Sequence, residues 1–295
     1  MFLLTYYHNN IESVGFLNEE KNGIIPALKV LPANAEASDM IGIIEAFNKI
    51  DLEELKNAIK KCKEEIKLNE VKILSPIPYP KRNVICLGKN YMDHISEVKG
   101  LKNVNSDIPQ KPIYFSKIAY PAIGHNGIVD PHSHIVKQLD YEVELAVVIG
   151  RQCKNVPVEE AEDCIFGYTI ANDISARDIQ TSHGQWHKGK SFDTFCPIGP
   201  CIAYKSNISF PPKLKIQSYV NNELRQNGNT NDLIFDIACI ISDITSGITL
   251  YPGDIILTGT PAGVGAGFEP PKYLKSGDKV DCVIEGIGTL TNIIK

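Results

Sequence analysis

The stretch DYEVELAVVIG, residues 140–150, constrains the fold of this chain more than any other. Its second half is apolar without a break, so a long strand over 140–150 runs into the core. Its first half carries Asp140, Glu142 and Glu144, and alternate residues of a strand point to one face. Three like charges repel each other there, and Glu is a poor strand former. Acids at the lip of a buried strand need a compensating cation. A half-exposed strand with a wetted acidic face has the same pattern, so this segment alone leaves both readings open.

Asp173 shifts the balance. It ends a second apolar strand, FGYTIAND, just before a helix start expected at Ser175. Two Glu and one Asp form an all-oxygen ligand set, which suits Mg²⁺ or Mn²⁺ rather than zinc. A second constellation is His94 and Glu97 in NYMDHISEVKG. One helical turn stacks them on one face, and the carboxylate then fixes the imidazole tautomer and raises its basicity, as a general base requires. A solvated charged turn is the alternative. Lys190, in GKSFDTFCPIGP, sits among Ser, Phe and Gly rather than in a charge run. It is either a surface lysine or a cation placed to neutralise an oxyanion. In LTGTPAGVGAG a strand feeds a Gly-rich loop with Thr258 and Thr260, whose backbone N–H groups can bind a carboxylate. A dinucleotide site is excluded, because FEPPKY follows instead of a helix. His125, His132 and His134 read as a surface loop.

The remaining pattern gives a mostly β chain of the α+β class. Residues 2–33 alternate around Asn/Gly clusters as short antiparallel strands, and residues 51–66 read as a helix capped by Asp51. The proline-marked segment LSPIPYPKR (74–82) places a boundary between a small N-terminal α+β domain, 1–75, and a catalytic domain, 76–295. Beyond it come a strand at 83–90, a helix and strand over 158–173, and a hairpin over 214–228 turning at Asn221-Asn222. A strand at 254–261 and a closing pair over 279–295 follow. Helices and strands do not alternate regularly, which argues against a TIM barrel or a doubly wound sheet.

Composition narrows the partners. With 295 residues and 43% hydrophobic content the chain has ample core material. A net charge of -5 with no Lys/Arg block excludes a nucleic-acid partner. No apolar run reaches membrane-span length, and MFLLTYYHNN lacks the pattern of a signal peptide, so no membrane partner and a cytoplasmic location are expected. None of the eight cysteines forms a C-x-x-C pair; they read as reduced, mostly buried small hydrophobes.

Taken in order, VICLGKNYMDHISE, LDYEVELAVVIG, GYTIANDISARDIQ, GKSFDTFCPIGP, NNELRQNGNT and YPGDIILTGTPAGVG resemble the successive motifs of the fumarylacetoacetate hydrolase family, from about residue 83 to 295. The resemblance implies a mixed β-roll or barrel-like catalytic domain, usually a homodimer. It implies that Glu142, Glu144 and Asp173 hold the metal, Mg²⁺ or Mn²⁺, with Lys190 beside metal and substrate. His94 and Glu97 match a dyad on a mobile lid, for which the stretch 99–112 is expected to be weakly ordered without ligand. Arg177, Gln180 and Thr260 match substrate-contacting positions. The family's reactions leave several outcomes open for a small 2-oxo acid: acylpyruvate hydrolysis, oxaloacetate decarboxylation, isomerisation of the 2-hydroxyhepta-2,4-diene-1,7-dioate type, or sugar-acid dehydration.

Overall fold

In the computed structural model, which describes residues 1–32, 35, 37–97 and 108–295, the alternating N-terminal segment folds as expected into β1 (Phe2–His8), β2 (Ile11–Leu17) and β3 (Gly23–Pro26), paired antiparallel in sequence. Helix α1 (Met40–Phe47) follows, capped by Asp39, and then α2 (Leu52–Lys61), where the Asp51 carboxylate accepts from Glu53 and Glu54 N–H. The sequence predicted α2 to continue to residue 66. It stops at Lys61 because Cys62 turns extended and Ile66 joins β4 (Ile66–Lys67), opposite Ile24 of β3. A short β5 (Lys72–Ile73) pairs with β1.

The rest of the chain supplies β6 (Val84–Gly88), α3 (Met92–Glu97), β7 (Ile113–Lys117), β8 (Ile128–Val129), β9 (Leu139–Asp140), β10 (Val143–Ile149), β11 (Ile165–Asn172) and β12 (Ser175–Ala176). It continues with α4 (Arg177–Ser182), α5 (His187–Lys190), β13 (Ile198–Tyr204), β14 (Lys215–Val220), β15 (Glu223–Asn229), α6 (Ile237–Thr245), β16 (Ile255–Leu257), β17 (Lys279–Ile284) and β18 (Gly288–Ile294). Asn221 and Asn222 both take positive φ between β14 and β15, the backbone a two-residue hairpin turn needs.

One large sheet runs β4-β3-β2-β1-β13-β11-β10-β16-β6-β7, and a five-stranded sheet runs β15-β14-β17-β18-β8. Neither order returns on itself among the described residues, so the sheets are open where a barrel-like closure was one expectation. The N-terminal strands are part of the same large sheet, because β1 pairs with β13 through Phe2↔Ala203 and Leu3↔Ile202. Strand β10 lies near its centre and is buried throughout. Val143, Leu145, Val147 and Ile149 point into one core cluster, which they share with β14 and β17 residues; Ala146 and Val148 point into the other, with Met40, Ile43, Ile44 and Phe47 of α1. Each such aliphatic side chain contributes about 1.5–3 kcal/mol of burial. That anchorage lets the strand carry acids at its end. No described helix is long and apolar enough to cross a membrane.

Candidate active site

The acids meet at the ends of neighbouring strands. Register Val143↔Asn172 sets β10 against β11, and Asp173 N–H donates to Glu142 O at 2.8 Å across the end of that ladder. Glu142, Glu144 and Asp173 each bring a carboxylate oxygen within 4.8 Å of the others. All three are sealed, at 4%, 1% and 0% exposure, which removes the wetted-face alternative. The strand expected over 140–150 is broken at 141–142. Asp140 belongs to β9 and pairs with Ser175 of β12, which stands where a helix start was expected. Glu142 N–H instead donates to the Asn172 side chain at 3.0 Å. The break takes Asp140 out of the acidic face: its carboxylate accepts from Gly265 N–H (2.7 Å), Ala266 N–H (3.0 Å) and Arg177 Nε (2.9 Å).

Two buried cations, Lys190 and Lys117, and the partly buried Arg177 surround these acids. The Lys190 ammonium, on α5, donates to Glu142 at 2.6 Å and to Asp173 at 2.8 Å, so it is no surface lysine. Lys117, at the end of β7, is fully buried and donates to the other Asp173 oxygen and to Ile174 O at 2.9 Å. Sequence reading missed Lys117; the signal was a lysine ending the strand IYFSK. Arg177 Nη2 forms an ion pair with Glu142 Oε1 at 2.7 Å, and Nη1 donates to Gln180 at 3.2 Å. Burial pushes Glu142 toward protonation, but the charges of Lys190, Arg177 and His94 outweigh it and hold this carboxyl below the usual range. Glu144 goes the opposite way. Burial, then the negative Asp173 and Glu142, push it well above that range, against Lys190 and the Gly259 amide. Burial lowers the Lys190 ammonium's pKa, but Asp173 and Glu142 more than offset it, so the group stays protonated.

The Gly-rich loop after β16 binds carboxylates through its amides as its composition suggested, but they are the protein's own. Gly259 N–H donates to Glu144 at 2.6 Å, Gly263 N–H to Glu97 at 2.8 Å, and Gly265 and Ala266 to Asp140. Gly263 takes φ +108, and a Cβ there would lie 2.0 Å from Arg225 O, so only glycine presents this amide. Glu97 in turn lies 3.3 Å from His94 Nδ1 on α3, so the dyad forms with both residues half-buried. Of the lid stretch 99–112, residues 99–107 lie outside the described residues.

Thr260 Oγ1 donates to Val143 O at 2.8 Å and accepts from Gln226 at 2.7 Å, so its hydroxyl proton is engaged within the fold. Gln226, also missed from sequence, is buried and ties β15 to both β10 and this loop through Val143 N–H and Pro261 O. His132 bonds the Asp193 carbonyl and His125 accepts from Thr291 N–H, which leaves both in structural roles. All eight cysteines are free. A broad cleft near the N-terminal strands, lined by residues such as Leu17, Lys21, Ile59 and Lys67, contains none of the acids or dyad residues. Its lining mixes exposed lysines and glutamates, unlike the sealed acid cluster.

Comparison with known proteins agrees with this geometry. The family model for the fumarylacetoacetate (FAA) hydrolase C-terminal domain matches residues 83–295. This chain belongs to the fumarylacetoacetate hydrolase family. It is 52% identical over 227 residues to the oxaloacetate tautomerase YisK of Bacillus subtilis, covering 77% of this chain and 74% of that protein. Among solved structures, the fumarylacetoacetate hydrolase of psychrophilic Exiguobacterium antarcticum matches with a TM-score of 0.83 at 34% identity, over 100% of this chain and 99% of that one. The 5-carboxymethyl-2-hydroxymuconate delta-isomerase of Mycobacterium smegmatis matches with a TM-score of 0.75 at 31% identity, over 100% and 98%. The chain is therefore an enzyme with the mostly-sheet α+β fold of that family.

Proposed function

We propose that this enzyme forms and reprotonates the enolate of a small 2-oxo diacid, interconverting the keto and enol forms of oxaloacetate with a divalent ion at Glu142, Glu144 and Asp173. The observation that carries this reading is a sealed carboxylate triad, with a carboxylate-oriented histidine on the helix that Glu97 ties to the loop after β16. Four buried carboxylates, Asp140, Glu142, Glu144 and Asp173, meet two buried cations, Lys117 and Lys190, and the partly buried Arg177. The acids outnumber the cations by one, and burial with the neighbouring Asp173 and Glu142 pushes Glu144 toward protonation. A hard divalent cation fits this set, and Mg²⁺ or Mn²⁺ suits its oxygen donors. When bound, the ion supplies Lewis-acid polarisation of a 2-keto oxygen.

The chain's own groups do the rest. Glu97 holds His94 by Nδ1, leaving Nε2 free to take a proton from the carbon next to the keto group and to return it. The Lys190 ammonium sits where charge builds on the substrate oxygen. Gln180 commits its carbonyl to Arg177 and keeps its amide N–H₂ for a substrate carboxylate; Arg177 and Thr260 are further proposed substrate contacts. The relative named oxaloacetate tautomerase supports the choice of substrate. A second reading, C–C cleavage by acylpyruvate hydrolysis or oxaloacetate decarboxylation, passes through the same enolate. The oriented dyad favours it too, since a base that accepts a proton from carbon also accepts one from water.

The test is to follow oxaloacetate with the Mg²⁺-loaded enzyme while measuring enol absorbance and released pyruvate together. Loss of the enol signal without pyruvate is expected. Pyruvate release, or cleavage of acetylpyruvate, moves the enzyme to the second reading, and undiminished turnover after EDTA stripping refutes the metal. We also propose a homodimer, expected near 65 kDa by light scattering against the 32.6 kDa chain. The division into 1–75 and 76–295 is proposed as a functional one, since every site residue falls in the second part.

A further inference from the structure

The break in the strand at 141–142 gives three consecutive side chains three different partners. Asp140 takes the Gly265 and Ala266 amides of the loop after β16, at 2.7 and 3.0 Å, and Glu142 joins the acid triad. Tyr141, between them, is fully buried, and its hydroxyl donates to Gly263 O of the same loop at 2.9 Å. The direction of that bond is set from the other side. Arg225 Nη1 donates to the phenol oxygen at 3.4 Å, and a guanidinium has no acceptor, so the phenolic proton goes to the Gly263 carbonyl. Arg225 is itself held by Glu223 at 3.1 Å and lies over the Phe268 ring, 5.4 Å from its centroid.

Gly263 passes this restraint to the dyad. With its carbonyl tied by Tyr141 and its φ at +108, its N–H donates to Glu97 Oε1 at 2.8 Å. The other Glu97 oxygen lies 3.3 Å from His94 Nδ1. An ionised carboxylate only accepts, so this contact puts the imidazole proton on Nδ1 and leaves Nε2 as the base. A helix as short as α3 has little stability of its own, so its outside ties decide where the base stands. Resting on the function proposed above, we propose that Tyr141 is a positioning residue for the proton transfer: its hydroxyl, acting through Gly263 and Glu97, ties His94 to the strand break that also delivers Glu142. One backbone irregularity then places both the acid cluster and the base.

Tyr141→Phe keeps the buried ring and removes only the hydroxyl. Oxaloacetate tautomerisation is measured for wild type, Tyr141→Phe, Glu97→Ala and the double variant, all loaded with Mg²⁺, and hydrogen exchange over 92–97 is read alongside. Loss of the one buried hydrogen bond is expected to lower kcat about 10-fold, with KM and Mg²⁺ affinity within about twofold of wild type. Exchange over 92–97 should quicken. In the Glu97→Ala background the hydroxyl has no dyad left to hold, so its removal should cost less than about twofold more. Unchanged kcat overturns the proposal. So does a further loss of about 10-fold in the Glu97→Ala background, which would make the hydroxyl a general support of the fold. If wild type does not tautomerise oxaloacetate, the functional reading fails, and exchange still decides the linkage: an unchanged rate over 92–97 in Tyr141→Phe refutes it. Should the phenylalanine variant not fold, Arg225→Met takes its place, since it keeps the phenol but frees its proton to turn. Wild-type kcat and exchange in that variant refute the relay.

Discussion

Glu142 and Glu144 are two residues apart and chemically alike, yet their surroundings push their protonation in opposite directions. Lys190 and Arg177 touch Glu142; Glu144 receives one backbone amide and faces two other acids. A divalent ion reverses that balance for Glu144, so its uptake should expel a proton near neutral pH. The sign follows: as pH rises toward the elevated Glu144 value, less proton must be displaced and Mg²⁺ affinity climbs. Calorimetry in two buffers of different ionisation enthalpy reads the proton directly, and a proton count of zero with pH-independent affinity would contradict the assignment. His94 gives a second expectation at this scale. It lies on α3, away from the triad ladder, so His94→Ala should leave Mg²⁺ uptake intact. Tautomerisation should fall by about 100- to 10,000-fold, as expected for a lost general base. A drop confined to KM would make the dyad a binding device instead.

The lid is an element-scale device. Helix α3 is too short to hold itself in place, and Glu97 fastens it to the loop after β16 through Gly263 N–H. Gly267 leaves room for that carboxylate, since a Cβ there would sit 2.1 Å from Glu97 Cδ. The clash is with the end of a flexible side chain, so Gly267→Ala should fold normally but turn Glu97 away and loosen α3. Hydrogen exchange should quicken over 92–97 and kcat should fall, while the unfolding temperature stays within a few degrees. Unchanged exchange would mean that α3 is held some other way. The same elements show what the sequence made legible. The Asn-Asn hairpin and the capped α2 could be read because their cues are local. Helix α1 could not: MIGIIEAF is buried on most of its surface, so no amphipathic period marks it. The break at 141–142 was hidden for a different reason. It depends on Asn172 and Ser175, some thirty residues away in sequence, taking over the backbone of Glu142 and Asp140.

At the scale of the molecule, the acid triad was readable because carboxylates in apolar strands are conspicuous, whereas Lys117 and Gln226 gain meaning only from burial and partners. The proline-rich boundary near 74–82 is similar: it marks where the site-bearing part begins, while the packing crosses it. Strand β1 pairs with the edge of β13, and α1 covers the face of β10 from which Ala146 and Val148 project. Phe47 stacks edge-on against Phe166 with ring centroids 5.0 Å apart and lies 5.4 Å from Tyr204. Residues 1–75 therefore act as the back wall of the strand that holds Glu144 in place. A chain cut to 76–295 would leave the β13 edge unpaired and that apolar face open to water, an arrangement that invites strand-edge association. The truncated chain should aggregate or bind Mg²⁺ weakly, and the full chain should unfold in one cooperative transition by calorimetry and by tyrosine fluorescence alike. A soluble 76–295 fragment with wild-type Mg²⁺ affinity would show that the N-terminal part supports something other than the site, and two separated transitions in the full chain would say the same.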